Sequence, residues 1–221
     1  MRMSLLTAFA LVAVSAATTF GFSPDKLNKI TFDNTTGTKI EMIFLSPRDS
    51  KFWGPDLLGA DYFLEDGKST SCYVHYPAAS FGFDVMATDD KGNKFEIRDF
   101  EVTDGKEARV SLTSKTLKTK APDFSLATVH AVNSTGHEIQ YLFVPPGDSA
   151  AWGADLLDEE TTLADGNSYS FLLAVGKDKM TYKVMWVDEN GDEYQFTMTI
   201  DPRVRKEFTW TIEPGDLRKA K

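Results

Sequence analysis

The residues with the most chemical potential in this 221-residue sequence stand in two copies of one short segment, Trp53-Gly54-Pro55-Asp56-Leu57-Leu58 and Trp152-Gly153-Ala154-Asp155-Leu156-Leu157. An indole is a flat platform for a sugar or another ring, and a carboxylate offers oxygen to a hard cation such as calcium. Trp53, Asp56, Trp152 and Asp155 are therefore the candidate ligand-binding residues, with Asp49 and Asp148 as further oxygen donors upstream. The competing reading is structural. Trp plugs the end of a β-sandwich, Gly takes a left-handed backbone, Asp caps the turn and the Leu pair enters the core. One recurrent Asp beside Gly is ordinary turn chemistry, whereas calcium wants about six to eight oxygens, so the cap is the expectation.

A second oxygen-rich segment, Asp188-Glu189-Asn190-Gly191-Asp192, makes Asp188, Asn190 and Asp192 the candidate metal ligands, with Asp89-Asp90-Lys91-Gly92-Asn93 as the weaker counterpart. Neither has the spacing of an EF-hand loop. A hairpin turn using Asp, Asn and Gly for their backbone preferences accounts for both. His75, His130 and His137 form no His-Glu-x-x-His pair, and there is no Gly-x-Ser-x-Gly elbow or phosphate-cradling glycine loop. Cys72, the single cysteine, aligns with Phe171 in an alternating segment and reads as a small core residue. No catalytic residue is expected, and no cofactor, with calcium the one ion these loops would suit.

The elements that must position these residues follow from an internal repeat. Asn34-Thr35-Thr36-Gly37 recurs as Asn133-Ser134-Thr135-Gly136 at an offset of 133 − 34 = 99, and the Trp segments recur at 152 − 53 = 99. Positions 34–97 align with 133–196 without a gap, with about a third identical. A period this long is a domain duplication, since solenoid repeats run at about 20–50 residues. The expected organisation is a signal peptide over 1–17, a first repeat over 24–115, a linker over 116–126, a second repeat over 127–213 and a basic tail over 214–221. Short β-branched and aromatic runs predict strands at 29–32, 38–45, 69–76, 83–88, 94–102 and 108–112, and again at 129–132, 138–144, 168–175, 181–187, 193–200 and 208–212. The expected fold is all-β, two tandem antiparallel β-sandwich domains, with a small barrel as the alternative. Each copy is expected to fold alone.

Arg2, the apolar run from Leu5 to Val14 and the small residues Ser15, Ala16 and Ala17 form a secretory signal pattern, cut after Ala16 or Ala17. Its removal changes the net charge from −9 to −10, which makes nucleic acid a poor partner. The run is too short for a membrane span, so the mature chain is expected to carry none and to lie in the periplasm or outside the cell. The Asn-x-Thr-Gly start, the Ser46-Pro47 to Leu58 centre and the Asp66-Gly67 close resemble a set of uncharacterised exported bacterial proteins with tandem Trp-Gly-x-Asp-Leu-Leu repeats. The resemblance implies bacterial export and brings no activity. Pro145 stands where the first copy has Ser46. The expected function is a non-enzymatic extracytoplasmic protein of binding or assembly, with a protein or cell-envelope component as partner. The alternative is a calcium- or carbohydrate-binding module using the Trp-Gly-x-Asp loops.

Overall fold

Apolar residues alternating with polar ones can bury only one face of a strand, and two such faces closing on each other make a sandwich. The computed structural model has this form over residues 22–59, 62–120, 124–158 and 161–218, with the side chains of 119 and 120 undescribed. The segment read as a signal peptide lies outside the described residues. In the first half, β1 (Asn28–Thr35), β3 (Ser69–His75) and β6 (Ala108–Thr113) form one sheet, in the order β3-β1-β6. Facing it are β2 (Ile40–Pro47), β4 (Ser80–Asp89), β5 (Asn93–Thr103) and β7 (Leu117–Lys120), hydrogen-bonded in that order. The second half repeats the plan. One sheet is β11 (Ser168–Val175), β8 (Ser125–Asn133) and β14 (Glu207–Ile212), and the other is β13 (Glu193–Ile200), β12 (Met180–Asp188) and β9 (Ile139–Phe143). A two-residue strand, β10 (Gly153–Ala154), belongs by sequence to the second half and by hydrogen bonding to β3 of the first.

The all-β class is as expected, with one refinement. β1 with β6 and β8 with β14 run parallel, while the other named pairings are antiparallel. The stretch expected to be a linker is in part strand. Leu117 pairs with Phe95, and Lys120 with Asn93, at the edge of the second sheet. An edge strand tolerates such a lysine-rich run because one side faces water, where the charges also discourage pairing with another chain.

Recurrent motifs become recurrent clasps. Asn34 Nδ2 donates to the carbonyls of Thr38 and Leu64, both at 2.8 Å, while its Oδ1 accepts from the Thr36 amide. Asn133 repeats this with His137, Leu163 and Thr135. Gly37 and Gly136 sit at φ of 81° and 83°, a region glycine enters without penalty, and their amides donate to Asp66 and Asp165. The cores reach similar volume by different routes. Phe32 beside Val110 on β1 and β6 becomes Ala131 beside Trp210 on β8 and β14, all four buried. A large residue has moved one strand over, which keeps the space filled.

Candidate binding site at the seam between the halves

The two Trp-Gly-x-Asp loops cross over. Ala154 of the second loop pairs with Val74 on β3, and Pro55 of the first pairs with Leu173 on β11, the same two positions at the 99 offset. Trp152 N donates to His75 O (3.1 Å) and Asp155 N to Tyr73 O (2.8 Å). On the other side Asp56 N donates to Leu172 O (2.9 Å) and Ala174 N to Gly54 O (3.3 Å). Pro55 has no N–H to give, and the bridge holds because the flanking residues carry the hydrogen bonds. Upstream, Ser50 Oγ donates to Asp148 and Ser149 Oγ to Asp49, both at 2.7 Å, and the amides of Lys51 and Ala150 complete each carboxylate. Each half thus lays a loop along the edge of the other's sheet, as a two-residue strand in one direction and a single bridge in the other.

Asp56 and Asp155 are buried behind these crossings. Asp56 Oδ1 accepts from the amides of Ile43 (2.9 Å) and Leu58 (3.2 Å), and Asp155 Oδ1 from Leu142 (2.8 Å) and Leu157 (3.2 Å). Burial pushes the Asp56 carboxyl up to about 7 and that of Asp155 up to about 8, against the pull of those amides. A carboxyl that keeps its proton near neutrality is a weak ligand for calcium and a good hydrogen-bonding partner for a hydroxyl.

The tryptophans are partly buried beside these loops. Trp53 packs with Met42, Phe44 and Met86 on the outer face of β2 and β4, where Phe124, Leu126 and Ala174 arrive from the second half. Trp152 packs with Tyr141, Phe143, Met185 and Val187, where Phe22 and Leu27 arrive from the first. The Arg98 guanidinium lies 5.2 Å from the Trp53 ring centre and the Lys183 ammonium 4.7 Å from that of Trp152. The indoles therefore fill the seam rather than a sandwich end, since each sits in a cluster drawn from both halves. The left-handed glycine expected in both loops is present at Gly153, with φ 74°. Gly54 is needed for space instead, as a Cβ there would lie 3.3 Å from Leu45 O.

Beside the crossing on the Asp155 side lie two cavities of 390 and 510 Å³ that share Tyr73, Asp155 and Asp158 in their walls. Tyr141 and Gln140 line the first, and Tyr62, Tyr169 and Thr70 the second. Tyr169 is fixed by donation from its hydroxyl to Leu156 O (2.9 Å). Sequence reasoning missed these tyrosines because it looked for identity between the copies. Their signal is divergence: Tyr73, Tyr141, Tyr169 and Asp158 align with Leu172, Met42, Thr70 and Gly59.

Of the candidate metal ligands, Asp188 is buried, whereas Asn190 and Asp192 are exposed. Asp188 Oδ1 accepts from the amides of Asn190 and Asp192, both at 2.9 Å, as Asp89 Oδ1 does from Lys91 and Asn93. Both acidic segments are hairpin turns held by their first carboxylate. His137 joins one of them, with Nδ1 3.1 Å from Glu189 Oε1, and that contact raises the pKa of its ring. Among the described residues no helix is long and apolar enough to cross a membrane.

Neither a family model nor a curated protein matches the chain. Among solved structures it is similar to a protein from Eubacterium rectale determined by NMR, at 18% identity and a TM-score of 0.33, covering 47% of this chain and 98% of that one. A carbohydrate-binding module of family CBM26 from the same organism, solved with maltoheptaose, gives 15% identity and a TM-score of 0.26 over 88% of this chain and 98% of the module. A DUF3823 family protein from Parabacteroides merdae gives 11% and 0.23 over 79% and 98%. At these identities and scores nothing about ligand or activity transfers, and what the chain shows of itself is an all-β architecture of sandwich-like halves.

Proposed function

We propose that this chain is an exported, non-enzymatic binding protein, and that it takes its ligand at the tyrosine-lined seam rather than on the Trp-Gly-x-Asp loops themselves. The observation that carries this reading is the pair of cavities sharing Tyr73, Asp155 and Asp158. Their sizes are those of small-ligand sites, which combine apolar walls with a few converging polar groups. Tyrosine rings meet the C–H face of a sugar, and their hydroxyls, Thr70 and a protonated Asp155 exchange hydrogen bonds with its hydroxyls. A neutral oligosaccharide of the cell envelope fits that chemistry better than a cation does. The boundaries of the two repeats, each with a core of its own, are part of the same proposal.

A thermal-shift screen of the full chain against neutral oligosaccharides and calcium tests it. A ligand at one hundred times its dissociation constant should stabilise the fold by about 2.7 kcal/mol. We expect an oligosaccharide to raise the melting temperature and Tyr141→Ala to remove the rise. A rise with calcium alone, abolished by Asp155→Asn, would replace this reading by the metal-binding one.

A further inference from the structure

Several contacts that the first half makes on the second across the crossing have counterparts 99 residues on. Ser50 with Asp148 answers Ser149 with Asp49, and Pro55 with Leu173 answers Ala154 with Val74. That is the geometry of a two-fold dimer interface, in which one patch meets its own copy. The patch buries groups that a lone half would leave open: Ala151 and Ala154 complete the first core, and the edges of β3 and β11 gain partners.

We infer that the seam is a self-complementary interface that a second copy of this chain can occupy, the first half of each chain closing on the second half of the other. Only four residues, 121–124, separate β7 from β8, and short connections between exchangeable units favour swapping. Within one chain the tether gives the partner half a high effective concentration, so the closed monomer dominates when protein is dilute. Between chains the same hydrogen bonds form and no new surface is required. The swapped dimer therefore gains ground as concentration rises.

The test uses two full-length chains in a Cys72→Ala background, one carrying Ser50→Cys and the other Asp148→Cys. They are unfolded together, then refolded at high concentration under oxidising conditions. Cysteines at 50 and 148 meet across a seam, so on non-reducing electrophoresis we expect a linked heterodimer well above that formed by chains refolded apart and then mixed. Replacing Asp148→Cys by Glu207→Cys, an exposed position on β14, reads the background of chance collisions. Because Ser50→Cys removes one seam hydrogen bond and Asp148→Cys removes two, unmodified protein is refolded in parallel. Its light scattering should show a species of twice the monomer mass whose share grows with concentration. A heterodimer no more abundant than the collision background, or unmodified protein that is monomeric at every concentration, overturns the inference.

Discussion

The two halves share a plan, yet the two sides of their seam are filled by different residues. On the Asp56 side, Met42, Phe44 and Trp53 pack with Phe124 and Ala174, and Asp56 is 2% exposed. On the Asp155 side the equivalents of Met42, Phe44, Trp53 and Ala174 are Tyr141, Phe143, Trp152 and His75, with Phe22 packed beside them, and Asp155 is 8% exposed and lines both cavities. What both copies retain, the Asn clasp, the capping Asp and the crossing loop, is what builds a half and joins it to the other. What they do not share includes Tyr73, Tyr141, Tyr169 and Asp158, which stand in the cavity walls. Duplication leaves one side free to change while the other keeps the fold closed.

The largest effect expected from testing this comparison comes from the exchanged core volumes. Trp210→Val gives the second half the residue that the first uses on β6, but beside Ala131 instead of Phe32, so it should cost about 3 kcal/mol in urea denaturation. Adding Ala131→Phe should recover a good part of that. Equal losses for the single and double variants would mean that the two cores do not exchange volume as described.

The buried carboxyls sharpen the comparison through pH. Unfolded, both ionise near pH 4, whereas in the fold Asp56 holds its proton to about 7 and Asp155 to about 8. The folded state binds more protons across that interval, so these two groups stabilise it fully below about pH 4 and progressively less as pH rises towards 8. His75, whose pKa burial lowers, acts in the opposite sense as pH falls below 6.5. The difference between wild type and Asp56→Asn/Asp155→Asn isolates the carboxyls: the wild type should lose more of its urea midpoint between pH 5 and pH 8.5. Parallel profiles would show that the two groups ionise as they do in the open chain.

Smaller effects test the symmetry itself. Asp49→Ala and Asp148→Ala each remove an acceptor of one hydroxyl and one amide across the seam, and each should cost about 1 kcal/mol. Unequal losses would show that the two crossings differ in strength despite matching geometry. Gly37→Ala and Gly136→Ala should each cost close to 1 kcal/mol through backbone strain alone, because no atom lies within 4 Å of the added Cβ. A markedly larger loss at one of them would place a neighbour near that turn.

The twelve strands expected from β-branched and aromatic runs are all present, because alternation and turn residues act locally. β7 and β10 were not legible. β7 is polar, as an edge permits, and β10 is two residues inside a loop, below any periodicity. The cap at Asp56 and Asp155 could be read from Asp beside Gly. The crossing could not, since it joins residues such as Ser50 and Asp148 that lie 98 positions apart. Nor could the tyrosine wall, which exists only once β3, β9 and the second loop are assembled.

The parallel pairings of β1 with β6 and of β8 with β14 have a consequence in time. Ile30 meets Ala108, 78 residues later in the chain, and closing so long a loop costs chain entropy. Each half is thus a slow-closing ring, and the second cannot close until residue 207, its first on β14, has left the ribosome.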